Sequence, residues 1–204
     1  SAKKMTEELA EKYKDQNISI SLPSMRADTF AIELAKSVQA VRPSGVTIAP
    51  EAGTQRMRNV IDKELTEEEI MRAAARAFEY GANTLKVYFI IGLPTETDED
   101  LQGIVDLVEK ILAEGKKIVS PERRPRLKIN IGLSTFVPKP HTPFQCESQI
   151  TISETLRKQK YLKDRLRNRQ IQIRWHDAEG SQMEGIFSRG DRKLAAVLET
   201  AWRM

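Results

Sequence analysis

Four short stretches of this sequence set residues able to hold a ligand beside residues that let the chain turn. Residues 23–28 contain Ser24, Arg26 and Asp28. Asp28 has a ready structural use as a helix N-cap, whereas Arg26 has none, which makes Arg26 a ligand-binding candidate. Residues 50–56 read Pro-Glu-Ala-Gly-Thr-Gln-Arg and bring a carboxylate (Glu51), a flexible glycine and a hydroxyl (Thr54) together. A carboxylate so placed can hold a sugar hydroxyl through a charge-assisted hydrogen bond, or it can pair with Arg56 or Arg58. Residues 90–97 place Gly92 where backbone can approach a ligand closely. Residues 136–143 carry three prolines, which forbid regular structure.

Other reactive side chains are sparse. His141 and His176 are the two histidines, with no cysteine pair near either, so a metal site is not expected. Cys146 is the single cysteine and can form no internal disulfide, which fits a reducing cytoplasm. Lys86 could act as a Schiff-base lysine of an aldolase-like barrel, but no acid or base accompanies it. No phosphate-binding glycine loop, dinucleotide fingerprint or nucleophile elbow is present. Between residues 150 and 175, Arg157, Lys158, Lys160, Lys163, Arg165, Arg167, Arg169 and Arg174 stand against Glu154 and Asp164. Such a basic helix can follow a phosphate backbone, and it is also what a solvated helix face looks like. A basic module making weak RNA or protein contacts is therefore the alternative reading.

The elements that must position these stretches follow from hydrophobic spacing. Met5, Leu9 and Tyr13 recur every four residues and predict a helix over residues 3–15. Ile18, Ile20 and Leu22 alternate as in a strand, and a helix through Phe30, Leu34 and Val38 follows. Residues 45–50 predict a second strand. Thr66 and Glu69 have the spacing of a capping box ahead of a helix through Ile70, Ala74 and Phe78, with Gly81 at its end. Residues 85–91 are a nearly unbroken apolar run, which predicts a strand covered on both faces. A helix over residues 97–112, a surface insertion over 115–126 and a strand over 127–136 complete the order. Strands separated by helices become parallel neighbours. The expected fold is thus α/β: a partial (βα) barrel of four parallel strands with helices on the convex face, spanning residues 1–150. Residues 151–204 are expected to form a small C-terminal α/β extension holding the basic helix and a short strand over 171–175. With 204 residues, 40% of them hydrophobic and 30% charged, the chain can bury a core of this size. No stretch approaches the roughly 20 apolar residues of a membrane span.

The four strand-end stretches together resemble the radical S-adenosylmethionine superfamily, its methylthiotransferase-like and cobalamin-associated branches most closely. Ile91-Gly92-Leu93-Pro94-Thr95-Glu96-Thr97, followed by Asp98-Glu99-Asp100-Leu101, resembles the fifth-strand adenine motif. Residues 49–57 resemble the fourth-strand ribose motif, with Glu51 where relatives often have glutamine. Residues 135–143 are similar to the sixth-strand tail, and residues 21–28 resemble the third strand and its tip. The resemblance implies an Fe-S oxidoreductase that cleaves S-adenosylmethionine reductively at a 4Fe-4S cluster. It also implies roles for Arg26, Glu51, Thr54, Ile90, Gly92 and Val137 in binding that cofactor. Ile90 would pack the adenine ring, Gly92 would allow its approach, Glu51 would accept from hydroxyls and Val137 would offer backbone hydrogen bonds.

The departure from the family pattern is as informative. The CxxxCxxC loop and the glycine motif after the second strand are absent, and three cysteine thiolates are needed to hold a 4Fe-4S unit with one open iron. The sequence therefore reads as the second half of a barrel. Its implied partners are the missing N-terminal half and an unknown substrate, and neither cofactor is expected to stay on the isolated chain.

Overall fold

The computed structural model describes residues 46–204 together with Glu8, Leu9, Lys12 and Tyr13. Those four are helical and fall within the first expected helix. The expected strand over residues 18–23, the helix after it and Arg26 lie outside the described residues.

Strands β1 (Val46–Glu51), β2 (Thr84–Ile91), β3 (Lys128–Thr135) and β4 (Ile171–Trp175) form a single sheet in sequence order. Every pairing in it is parallel. A doubly wound sheet reverses its strand order at a switch point, whereas a barrel segment keeps it. The chain is α/β, and the sheet is consistent with part of a barrel. Helices α1 (Gln55–Val60) and α2 (Glu67–Glu79) connect β1 to β2. Helix α3 (Asp98–Ile118) connects β2 to β3, and α4 (Ile152–Arg165) connects β3 to β4. Helices α5 (Ala178–Arg189) and α6 (Leu194–Arg203) follow β4.

Local chemistry sets the helix boundaries. Thr66 accepts from the Glu69 amide at 3.2 Å, and the Glu69 carboxylate accepts from the Thr66 amide at 2.8 Å, closing the expected capping box of α2. Ile70, Ala73, Ala74, Ala77 and Phe78 then form one buried stripe. On α3 the stripe is Leu101, Ile104, Val105, Val108, Ile111 and Leu112. Both stripes cover Leu85, Val87, Phe89 and Ile91 of β2 and Ile129, Ile131 and Leu133 of β3. Each such side chain contributes about 1.5–3 kcal/mol by leaving water.

Three expectations need correction. Helix α3 does not stop at residue 112 but runs to Ile118, because Gly115 lies buried against Phe78 and Leu127 and keeps the turn on the core. The apolar run of β2 is covered on one face among the described residues, not two. Lys86 and Tyr88 alternate with the buried positions and are exposed. The short strand over residues 171–175, read from sequence as part of the extension, is the fourth strand of the sheet. Ile129, Ile131 and Leu133 stand in register with Ile171, Ile173 and Trp175. Helix α4 is therefore a crossover helix packed on α3.

Candidate functional site

The C-terminal ends of β1, β2 and β3 lie side by side. Glu51 is in register with Phe89, Ile91 with Thr135, and the Phe136 amide continues the ladder by donating to the Ile91 carbonyl at 2.8 Å. Strain gathers at these tips. A register shift separates Ile48 from Glu51, and Glu51, Gly92 and Thr95 take φ values of 67°, 75° and 64°. Left-handed backbone is costly for a residue with a Cβ and persists where its surroundings enforce it.

The loop after β1 is held by cations and hydroxyls. Arg58 is fully buried. Its guanidinium donates to the carbonyls of Ala52 and Gly53 at 3.1 Å, to the Leu65 carbonyl at 2.9 Å and to Gln55 Oε1 at 3.1 Å. Thr54 caps α1 by accepting from the Met57 amide at 3.2 Å, and its hydroxyl donates to Asp100 Oδ1 at 2.5 Å. Asp100 also accepts from the amide and hydroxyl of Thr97 at 2.9 Å and from Arg56. Burial pushes the Asp100 carboxyl upward, but the donors from Arg56, Thr54 and Thr97 outweigh it and hold the pKa at about 2. Gly53 fits because α3 passes directly over it, and a Cβ there would lie 2.1 Å from the Ile104 nitrogen.

The loop after β2 is held by a buried ion pair. Glu96 turns back to accept from the Gly92 amide at 2.8 Å and from Lys158 Nζ at 2.9 Å. Both side chains of the pair are 4% exposed. Burial raises the Glu96 carboxyl above its ordinary value despite Lys158. Arg56 reaches across from the first loop to the Thr95 carbonyl at 2.9 Å. A small apolar cluster of Ala52, Met57, Leu93 and Phe136, with Ile90 and Phe144 packed on it, joins all three tips. Phe136 and Phe144 meet edge to face at 6.1 Å.

The predicted site residues fall as follows. Glu51, Ile90, Gly92 and Val137 share this end of the sheet, with Thr54 one turn away in the first loop. Glu51 pairs with Lys63 at 3.4 Å rather than with Arg56 or Arg58. The Thr54 hydroxyl is engaged by Asp100. The positive φ of Gly92 favours glycine, and the side chain of Ile150 covers its Cα, 2.5 Å from where a Cβ would be. Among the described residues, nothing bonds the Val137 peptide groups. Sequence reasoning missed Arg58, Asp100 and the Glu96–Lys158 pair. The Thr97-to-Asp100 spacing is a capping signal, but the partner of Glu96 lies 62 positions away.

Comparison with known proteins decides the family. The family model described as the Radical SAM superfamily matches residues 2–108, slightly more than half of the chain. The chain belongs to the radical SAM superfamily. An uncharacterized protein of Methanocaldococcus jannaschii is 33% identical over 192 residues, covering 94% of this chain and 40% of that protein. A second uncharacterized protein of the same organism is 26% identical over 118 residues, 58% of this chain and 23% of that protein. This radical SAM chain thus spans less than half the length of these relatives.

The superfamily implies S-adenosylmethionine and a 4Fe-4S cluster. The residues present do not fit the cluster: Cys146 is the single thiol of the sequence and is exposed beyond the prolines. Among the described residues no group of three His, Cys, Asp or Glu could hold a metal ion. At one end of the sheet, the Val137 peptide groups have no hydrogen-bond partner among the described residues, the Ile90 side chain is partly exposed and the Glu51 carboxylate faces Lys63. No helix among the described residues is long and apolar enough to cross a membrane.

Proposed function

We propose that this chain supplies the adenine and ribose wall of an S-adenosylmethionine site within a longer radical enzyme, other residues of which hold the iron-sulfur cluster. The observation that carries this reading is the adjacency of the β1, β2 and β3 tips, joined by their own apolar cluster, in a chain of this superfamily. The bound cofactor would supply radical chemistry; the residues here bind and orient. Ile90 gives an apolar surface for the purine, the Val137 peptide groups give it hydrogen bonds, and Glu51 accepts from a ribose hydroxyl. The Glu96–Lys158 pair fixes the loop that separates these contacts. The match to only part of a longer relative supports a site completed elsewhere in the protein.

Calorimetric titration of S-adenosylmethionine into the full-length reconstituted protein tests the proposal. Glu51→Ala should weaken binding about tenfold, the worth of one hydrogen bond to a charged group, with the thermal midpoint unchanged. Wild-type affinity in that variant would remove Glu51 from the site.

A further inference from the structure

Among the described residues, no helix covers one face of the sheet, and that face carries cations without carboxylates. Alternation along the strands presents Thr47 and Ala49, then Lys86, Tyr88 and Ile90, then Lys128, Asn130, Gly132 and Ser134, then Gln172 and Arg174. Lys86, Lys128 and Arg174 are exposed there and, among the described residues, have no acidic partner. Apart from Glu51 at the tip of β1, which pairs with Lys63, no strand of the sheet contains an Asp or Glu. On α4, Lys163 and Arg165 lie over the rings of Trp175 and Tyr161, and the other cations meet carboxylates. Arg157, Lys158 and Lys160 are paired to Asp98, Glu96 and Asp164, and just beyond the helix Arg167 also pairs with Asp164.

Register brings the key groups into one row. Tyr88 stands opposite Gly132, and Gly132 opposite Arg174. Neighbouring strands lie about 4.8 Å apart, so the backbones of Tyr88 and Arg174 are about 10 Å apart across a residue with no side chain. The tyrosine ring leans over that gap, since a Cβ on Gly132 would lie 2.5 Å from Tyr88 Cε1. In the next row, Asn130 stands between Lys86 and Gln172.

We propose that this face binds the substrate, and that the substrate carries a carboxylate or phosphate held by Arg174, with Lys86 adding charge and Tyr88 walling the gap. The placement of this face inside an enzyme cavity rests on the radical SAM reading above; the recognition of an anion rests on the charge pattern alone. The arrangement is a binding site, and the residues named position a ligand without taking part in bond cleavage.

The test uses probes without adenine, so it is independent of the cofactor site. Inorganic phosphate and succinate are titrated separately into the isotopically labelled full-length protein at low ionic strength, and amide shifts are followed by NMR. Shifts at Tyr88, Gly132 and Arg174, with apparent affinity falling about tenfold in Arg174→Gln, support the proposal. The better-bound probe separates phosphate from carboxylate recognition. Arg157→Gln, on the helix side, should leave the affinity unchanged. Equal binding by Arg174→Gln, shifts confined to α4, or no shift with either probe would overturn it. Loss of this result with S-adenosylmethionine binding intact would reject the substrate class alone, and the converse would reject the cofactor site alone.

Discussion

The loops after β1 and β2 are both closed by a buried charge, but by opposite means. Arg58 under the first loop is surrounded by carbonyl and amide oxygens, and a guanidinium keeps its charge at any working pH. Glu96 under the second is matched by Lys158 alone among charged groups in direct contact, and burial raises its carboxyl above the ordinary value. The first loop is thus fixed by geometry and the second by a balance of desolvation and pairing. A fixed loop suits a wall, whereas a titratable one is sensitive to what binds against it.

The sharpest way to break the geometric side is Gly53→Ala. The new Cβ would lie 2.1 Å from the Ile104 nitrogen and 2.4 Å from the Gly103 carbonyl carbon, both backbone atoms that cannot rotate away. Loop and helix would have to separate, exposing Met57 and the apolar cluster. We expect a loss above about 4 kcal/mol, read as a chain that unfolds in mild urea. A midpoint within about 0.5 M of wild type would show that the contact yields.

The electrostatic side breaks at Lys158→Met, which keeps the packing volume and leaves Glu96 buried without its cation. The expected loss is about 3 kcal/mol at neutral pH. The sign of its pH dependence follows from Glu96, whose folded pKa is raised above 4.5. A raised carboxyl contributes stability that is present below the unfolded pKa and lost as pH rises through the folded one. Without Lys158 that pKa rises further, so the gap between wild type and variant should narrow as pH falls toward 4.5. Urea midpoints of both proteins at several pH values measure this, and a gap independent of pH would mean that Glu96 is not charged in the fold.

How much of this the sequence discloses depends on the distance over which each feature is made. The strands at Val46, Thr84 and Lys128 and the capping box at Thr66 are local, and their patterns are legible. The coverage of β2 is not, since an apolar run broken by Lys86 and Tyr88 reads alike whether one face or two is buried. Nor is the membership of β4, five residues in a basic segment whose pairing with β3 only the fold supplies. At the site, the glycines and carboxylates of the tips are legible by type. The contacts that fix them, from Glu96 to Lys158 and from Arg56 to Asp100, join residues 62 and 44 positions apart. The cationic open face shows itself only once register places Tyr88, Gly132 and Arg174 in one row.

Asp100 sharpens the comparison with the smallest expected effect. It lies four residues after Glu96 and is equally buried, yet its pKa moves down to about 2 from an ordinary 3.8. The difference lies in the donors: Asp100 receives two hydroxyls, an amide and a guanidinium, whereas Glu96 receives one amide and one ammonium. A lowered carboxyl contributes stability that is present above the unfolded pKa and lost as pH falls through the folded one. The slope is therefore opposite to that of Glu96. Asp100→Asn keeps the shape but turns one acceptor into a donor facing donors. It should cost about 2 kcal/mol near neutrality, with the Arg56 contact discounted because that side chain is half exposed. The gap to wild type should stay constant down to about pH 4 and close between there and about pH 2, below the window in which the Lys158→Met gap narrows. Overlapping windows in paired urea titrations would mean that the two carboxyls titrate as one coupled group, and that the two loops are not held independently.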